Sequence, residues 1–128
     1  MARRIAPHNL DSERGLLGII LEKNDALFEV SHLITKLDFF EPAHGELFTL
    51  ARDLIETGRS ATPASLLHDT GQDADIGGIS ASEYLATLLR DAPDASIARD
   101  LARTIRDLSL RRKLIDRSQA VIDEAYSA

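Results

Sequence analysis

From Asp94 or Ser96 to about Tyr126 the chain runs without a glycine or a proline, and its apolar residues recur at helical spacing throughout. Such a stretch has room for one long helix and little else, so the rest of the chain must supply the surface that covers it. At about 100° per residue, Ile97, Leu101, Ile105, Leu108, Ile115 and Ile122 line one face. Ala98 and Ala102 widen that face on one side, and Leu110, Leu114, Val121 and Ala125 widen it on the other, further along. An apolar face that swings round as the helix advances asks for two partners: the rest of the domain first, and a second surface later. Leu108, Leu110, Leu114, Ile115, Val121, Ile122 and Ala125 are therefore the candidate protein-interface residues. On the side away from this face, Arg99, Arg103, Arg106, Lys113 and Arg117 form a basic ridge that could face a partner.

Residues 9–93 read as a globular helical head, preceded by a flexible arm over 1–8 and followed by the long helix over 94–128. Asn9 caps a first helix with Asp11 and Glu13 in its first turn, and Leu10, Leu16, Leu17, Ile20 and Leu21 give it one apolar side. Gly15 and Gly18 weaken that helix by about 1 kcal/mol each against alanine, which fits a site where another backbone comes close. A shorter helix follows Asn24-Asp25 with Leu27, Val30, Ile34 and Leu37 as its inner stripe. A third opens at Glu41-Pro42, carries Leu47, Phe48, Ala51, Leu54 and Ile55 inward, and ends at Gly58.

Thr62-Pro63 opens a short helix through Leu66 and Leu67 that Gly71 closes, and Gln72 to Ile79 reads as a loop. Ser80 and Glu83 have capping-box spacing ahead of Tyr84, Leu85, Leu88 and Leu89. No alternating strand pattern of useful length occurs. The expected fold is all-α: a compact bundle of about five or six short helices ending in one long C-terminal helix.

Composition narrows the function. The 128 residues suffice for one domain with one core, not for a complete motor or a two-domain enzyme. There is no cysteine, hence no thiolate nucleophile and no cysteine-ligated metal. The four histidines, His8, His32, His44 and His68, are widely spaced and never form a His-Glu-x-x-His pair, so each is expected at the surface or in a capping role. No Gly-x-x-x-x-Gly-Lys-Ser/Thr loop is present, and Gly77-Gly78 is not followed by the lysine that nucleotide phosphates require. Phe39, Phe40 and Phe48 sit in apolar context, as core residues do. No catalytic, cofactor-binding or metal-binding residue is assigned, and the chain alone is expected not to be an enzyme.

The net charge of −6 disfavours general coating of nucleic acid. Between Arg99 and Arg117, however, seven basic residues face three acids, a balance of +4 that leaves −10 elsewhere. With no long apolar run and no secretory leader pattern, the expected location is the cytoplasm, away from membranes.

The order of motifs resembles one family. Pro7 to Gly18, reading Pro-His-Asn-Leu-Asp-Ser-Glu-Arg-Gly-Leu-Leu-Gly, is similar to the opening Pro-x-x-x-Glu-Ala-Glu-x-x-Leu-Leu-Gly signature of the N-terminal domain of the hexameric bacterial replicative DNA helicase, the DnaB type. Asp38-Phe39-Phe40, His44, Leu47-Phe48, Gly77-Gly78 before Tyr84-Leu85, Ala92-Pro93, Ile105-Arg106 and Arg111 to Ile115 resemble that family's later motifs in order and spacing. Asp11-Ser12, Thr62-Pro63-Ala64 and Leu101 depart from its usual residues while keeping helical character or apolar bulk.

The resemblance implies an all-helical collar domain without catalysis of its own. Its long helix would be the first half of a helical hairpin, with the second helix, the linker and a RecA-like motor outside this chain. It further implies self-association as a dimer or a trimer of dimers in the ring, and docking of primase and a helicase loader. ATP and magnesium would belong to the motor alone. Two alternatives stay open on the residues: a primase-type helicase-binding domain, and a small DNA-binding module that uses the Arg99–Arg117 ridge.

Overall fold

The computed structural model describes residues 4–71 and 74–127. Six α-helices and one small hairpin follow in order: α1 (Leu10–Glu22), α2 (Leu27–Val30), α3 (Pro42–Glu56), α4 (Pro63–Thr70), β1 (Asp75–Ile76), β2 (Ile79–Ser80), α5 (Ala81–Arg90) and α6 (Ala98–Ser127). Short 3₁₀ turns at Asn24–Ala26, Lys36–Asp38 and Ala95–Ile97 join them. The all-α expectation holds, with the long helix last.

Helix starts are set by side-chain oxygens that satisfy free backbone amides. Asn9 Oδ1 accepts from the Ser12 amide at 3.0 Å, and Asp94 Oδ1 accepts from the Ser96 amide at 2.8 Å. At α4 the Thr62 and Ser65 hydroxyls cap each other's amides reciprocally. At α5 only half of the expected pair forms, because Ser80 Oγ accepts from the Glu83 amide and Glu83 makes no return bond. Glu41 caps α3, whose first residue is Pro42.

Helix α1 is the centre of the domain. Leu16, Ile19 and Ile20 are fully buried there, packed with Leu27, Phe48, Leu66, Leu85 and Ile105 from the surrounding elements. Its glycines set two interhelix distances. A Cβ on Gly18 would lie 2.3 Å from the Leu88 carbonyl oxygen, so α5 approaches α1 at backbone distance. A Cβ on Gly15 would meet only the Leu101 side chain, at 3.2 Å, and the Pro93 ring.

Two local expectations need correction. Helix α2 ends at Val30 instead of continuing, so the helical period breaks after Ile34 and Leu37 is 76% exposed rather than part of the inner stripe. Within the expected loop of Gln72 to Ile79, Ile76 pairs with Ile79 and Asp75 with Ser80 in an antiparallel hairpin. Gly77 and Gly78 both take positive φ, the backbone that a tight two-residue hairpin turn requires, and strands of two residues are too short to show alternation. Gln72 and Asp73 lie outside the described residues. So do Met1 to Arg3 of the expected arm; of its remainder, Pro7 and His8 are half-buried, and the His8 ring stacks on Phe40 with centroids 4.0 Å apart.

The face that α6 buries also differs from expectation. Ala98, Ala102, Ile105 and Ser109 point inward against α1 and α2, with Leu101 and Leu108 half-buried at the edge. That line lies about a quarter-turn from the Ile97, Leu101, Leu108 and Ile115 line. Small residues win the inner positions because the backbone of α6 comes close to the head there.

Candidate protein-interaction surface

Where α6 leaves the head, a polar clamp holds it. Ser109 Oγ donates to Asp38 Oδ1 at 2.7 Å, inside the domain, while Asp38 Oδ2 accepts from the Thr35 amide at 2.8 Å. Arg112 donates to the Pro7 carbonyl at 2.8 Å and to the Asp38 carbonyl at 2.7 Å, and its guanidinium lies 5.6 Å over the Phe40 ring. Lys113 Nζ is 3.7 Å from Asp38 Oδ1. Beyond Lys113 every described residue of α6 is exposed.

The predicted interface residues are placed accordingly. Leu114 is 66% exposed and Val121 67%, and Leu110, Ile115, Ile122 and Ala125 are exposed with them. Leu108 is half-buried and belongs to the anchored half. Counting about 100° per residue, the distal group centres roughly half a turn from the buried line of Ala98, Ala102, Ile105 and Ser109. One rod of 30 residues, roughly 45 Å long, thus carries one apolar face for its own head and an opposite one, past the clamp, that is left bare.

The ridge residues Arg99, Arg103, Arg106, Lys113 and Arg117 are all exposed and share one side of α6. They are not all unpaired. Arg103 lies 3.8 Å from Asp100, and Lys113 reaches Asp38. Fixed acids beside these cations lower the charge available to a phosphate backbone.

Three further residues, which the sequence marks only as a first-turn acid and as motif members, come together in the interior. Glu13 of α1, His44 of α3 and Tyr84 of α5 form a chain of hydrogen bonds across the head. His44 Nδ1 donates to Glu13 Oε1 at 2.8 Å, and its Nε2 meets the Tyr84 hydroxyl. A neutral imidazole protonated on Nδ1 satisfies both partners, since the carboxylate only accepts and the phenol then donates. Glu13 also accepts from the Phe40 amide at 2.8 Å and the Glu41 amide at 3.3 Å, so a side chain of α1 caps the approach to α3. Burial raises the Glu13 pKa, but the hydrogen bonds from His44, Phe40 and Glu41 outweigh it and hold the carboxyl below its ordinary value. Burial likewise raises the Tyr84 pKa, opposed by Arg14.

The surface or capping role expected for His44 is thereby corrected: it is buried and hydrogen-bonded to Glu13 and Tyr84, whereas His32 and His68 are exposed. Its partners stand 31 and 40 positions away, beyond the reach of any local pattern. Among the described residues no group of three or more His, Cys, Asp or Glu side chains is arranged to hold a metal ion, and no helix is long and apolar enough to cross a membrane.

The family described as the DnaB-like helicase N-terminal domain matches residues 5–107. The chain belongs to that family. Its relatives include the replicative DNA helicase DnaB of Rickettsia typhi, 35% identical over 125 residues, which take in 98% of this chain and 25% of that protein. The relative from Mycobacterium leprae is 27% identical over 124 residues, covering 97% of this chain and 20% of its own length. The chain thus spans about a quarter of the length of the curated DnaB helicases it matches.

Among solved structures, the N-terminal domain of DnaB helicase from Mycobacterium tuberculosis superposes with a TM-score of 0.86 at 28% identity, covering 96% of this chain and 88% of that one. The N-terminal domain of DnaB helicase from Helicobacter pylori, described together with its interactions with primase, shares the fold with a TM-score of 0.75 at 21% identity, covering 91% and 90%. Membership of the DnaB-like family also decides between the helicase side and the primase-type alternative. The Pro7–Gly18 signature, the Gly77-Gly78 turn and the start of α6 all fall inside the matched range.

Proposed function

We propose that the chain is the non-catalytic collar domain of a replicative DNA helicase, which helps assemble the helicase ring and docks primase and the helicase loader during DNA replication. One observation carries the reading: the bare apolar face of distal α6, opposite the face that anchors the helix to its own head. Exposed Leu114, Ile115, Val121 and Ile122 gain by pairing with the same face of a second copy, which is the self-complementary arrangement a two-fold dimer needs. Dimers of this kind are the units from which a trimer of dimers is built. Docking of primase is supported by the solved relative described with its primase interactions. ATP and magnesium belong to a motor domain under this reading, and this domain touches DNA weakly if at all.

Sedimentation over a concentration series tests the self-association. The expected result is a mass that rises toward the dimer as concentration increases, and a Leu114→Asp chain that stays monomeric at the same concentrations. A strict monomer at every concentration, indifferent to Leu114→Asp, overturns it. Capture of the cognate primase by the immobilised chain tests the docking role separately.

A further inference from the structure

A second surface, far from distal α6, has the features of a binding groove. Between α3 and the β1–β2 hairpin lies an open cavity of about 370 Å³. Buried Leu47 and Ile76 line it together with half-buried Ala43, Leu50 and Ala74, while the exposed carboxylates of Glu46, Asp69 and Asp75 stand around it. The Thr70 hydroxyl, in the same lining, is buried without a hydrogen-bond partner among the described residues.

The rim is one-sided in charge. Lys36 approaches Glu46 only at 3.9 Å, and no cation pairs with Asp69 or Asp75 among the described residues. The surrounding sequence is acidic as well: residues 41–80 hold seven acids against two arginines. Like charges around an apolar hollow, with one lysine near Glu46 and none beside Asp69 or Asp75 among the described residues, disfavour nucleic acid and anionic lipid and favour a cationic partner. The hollow is small, at the low end of the roughly 300–1,000 Å³ that small-molecule sites occupy, and the acids in its lining, Glu46, Asp69 and Asp75, are solvent-exposed. That shape suits one or two aliphatic side chains as anchors, with lysines or arginines beside them over the rim.

From this the geometry points to a docking site for a basic, apolar-anchored peptide segment of another protein, seated between α3 and the hairpin. A second copy of this chain is the poorer occupant. Its bare segment past the clamp, residues 114–127, carries three acids against one arginine and is repelled by the rim, while of the cations between Arg99 and Arg117, Arg103, Arg111 and Lys113 already sit beside Asp100, Asp107 and Asp38. The site is distinct from the distal α6 face and does not depend on self-association there.

The test is fluorescence anisotropy with a short labelled peptide of leucine and lysine, beside a counterpart in which every lysine is glutamate, while backbone amide shifts are followed by NMR. The expected result is binding of the lysine peptide alone, with shifts concentrated at Leu47, Leu50 and Ile76. Reversing two exposed rim charges, Asp69→Lys with Asp75→Lys, weakens that binding about tenfold and leaves the helical circular dichroism unchanged. Equal binding of the glutamate peptide, indifference to the rim reversal, shifts confined to Leu110–Ile122, or no binding at all would each overturn the proposal. So would shifts at Leu47 and Ile76 that appear on concentrating the protein without peptide, because they would make a second copy the occupant.

Discussion

The Glu13 carboxylate and the His44 imidazole meet at 2.8 Å with both side chains almost fully buried, joining α1 to α3 through the interior of the head. A buried acceptor with three donors is costly to remove, because His44 and the Phe40 and Glu41 amides would all lose their partner without gaining water. Glu13→Ala is expected to lower unfolding free energy by about 3 kcal/mol, read from the urea midpoint at neutral pH. A loss within the spread of ordinary surface substitutions would show that the pair is dispensable.

The same carboxylate makes stability depend on pH in a definite direction. Its folded pKa lies below the ordinary 4.5, so the folded state holds the ionised form more firmly than the unfolded chain does. That contribution is fully present above the unfolded value and is lost as pH falls through the folded one. Melting temperature should therefore hold steady above about pH 5.5 as far as this group is concerned and decline below 4.5, with the decline reduced in a Glu13→Gln chain. An acid limb as steep in Glu13→Gln as in the native sequence would assign the effect to other carboxylates.

Tyr84 closes the chain from α5. Tyr84→Phe keeps the ring that stacks on His44 and removes only the hydroxyl, leaving imidazole Nε2 without its partner. A loss of about 1–2 kcal/mol is expected, and it should shrink when His44 is already replaced, since the two belong to one network. Additive losses in the double variant would mean that the hydroxyl bonds elsewhere.

Gly15 and Gly18 separate two consequences of one substitution. In a helix, Gly→Ala gains up to about 1 kcal/mol where space allows. At Gly18 the new methyl meets a backbone carbonyl at 2.3 Å, which cannot yield without parting α5 from α1; at Gly15 it meets the end of the flexible Leu101 side chain. Gly18→Ala should cost about 2 kcal/mol or more in thermal unfolding, and Gly15→Ala should lie near neutral. Equal effects at the two positions would contradict the packing.

What was legible in the residues divides along physical lines. Helix limits follow from local chemistry, and Asn9, Glu41-Pro42, Thr62-Pro63 and Gly58 mark them where the backbone bonds fall. The bare distal half of α6 was also visible, because an apolar face with a changing direction is a property of one helix. Which face of its first half is buried was not, since Ala98, Ala102 and Ser109 win by being small and not by being apolar. The Gly77-Gly78 hairpin carried its own signal in two glycines between two isoleucines, a turn cue that outweighs the absence of alternation. Glu13, His44, Tyr84 and the Asp38–Ser109–Arg112 clamp acquire partners only in three dimensions, and the clamp spans more than 70 positions.

The clamp marks a boundary that hydrogen exchange can locate. Up to Arg112, α6 is held by packing and by the bonds to Pro7 and Asp38; from Leu114 onward it has no tertiary support among the described residues. Isolated helices of this length are marginal in water, and most helical stability in proteins comes from a packed face. In dilute solution amides of Ala98–Ser109 should therefore exchange slowly and those beyond about Asp116 should exchange many times faster. If distal α6 pairs with a second copy, raising the concentration must slow exchange at Val121 and Ile122 while leaving Ile105 unchanged, because only the distal face gains cover. Leu114→Asp should abolish that concentration dependence without altering protection at Ile105. Slow exchange at Ile122 in the dilute monomer, equal to that at Ile105, would show instead that the helix is stable without a partner and that its bare face has another use.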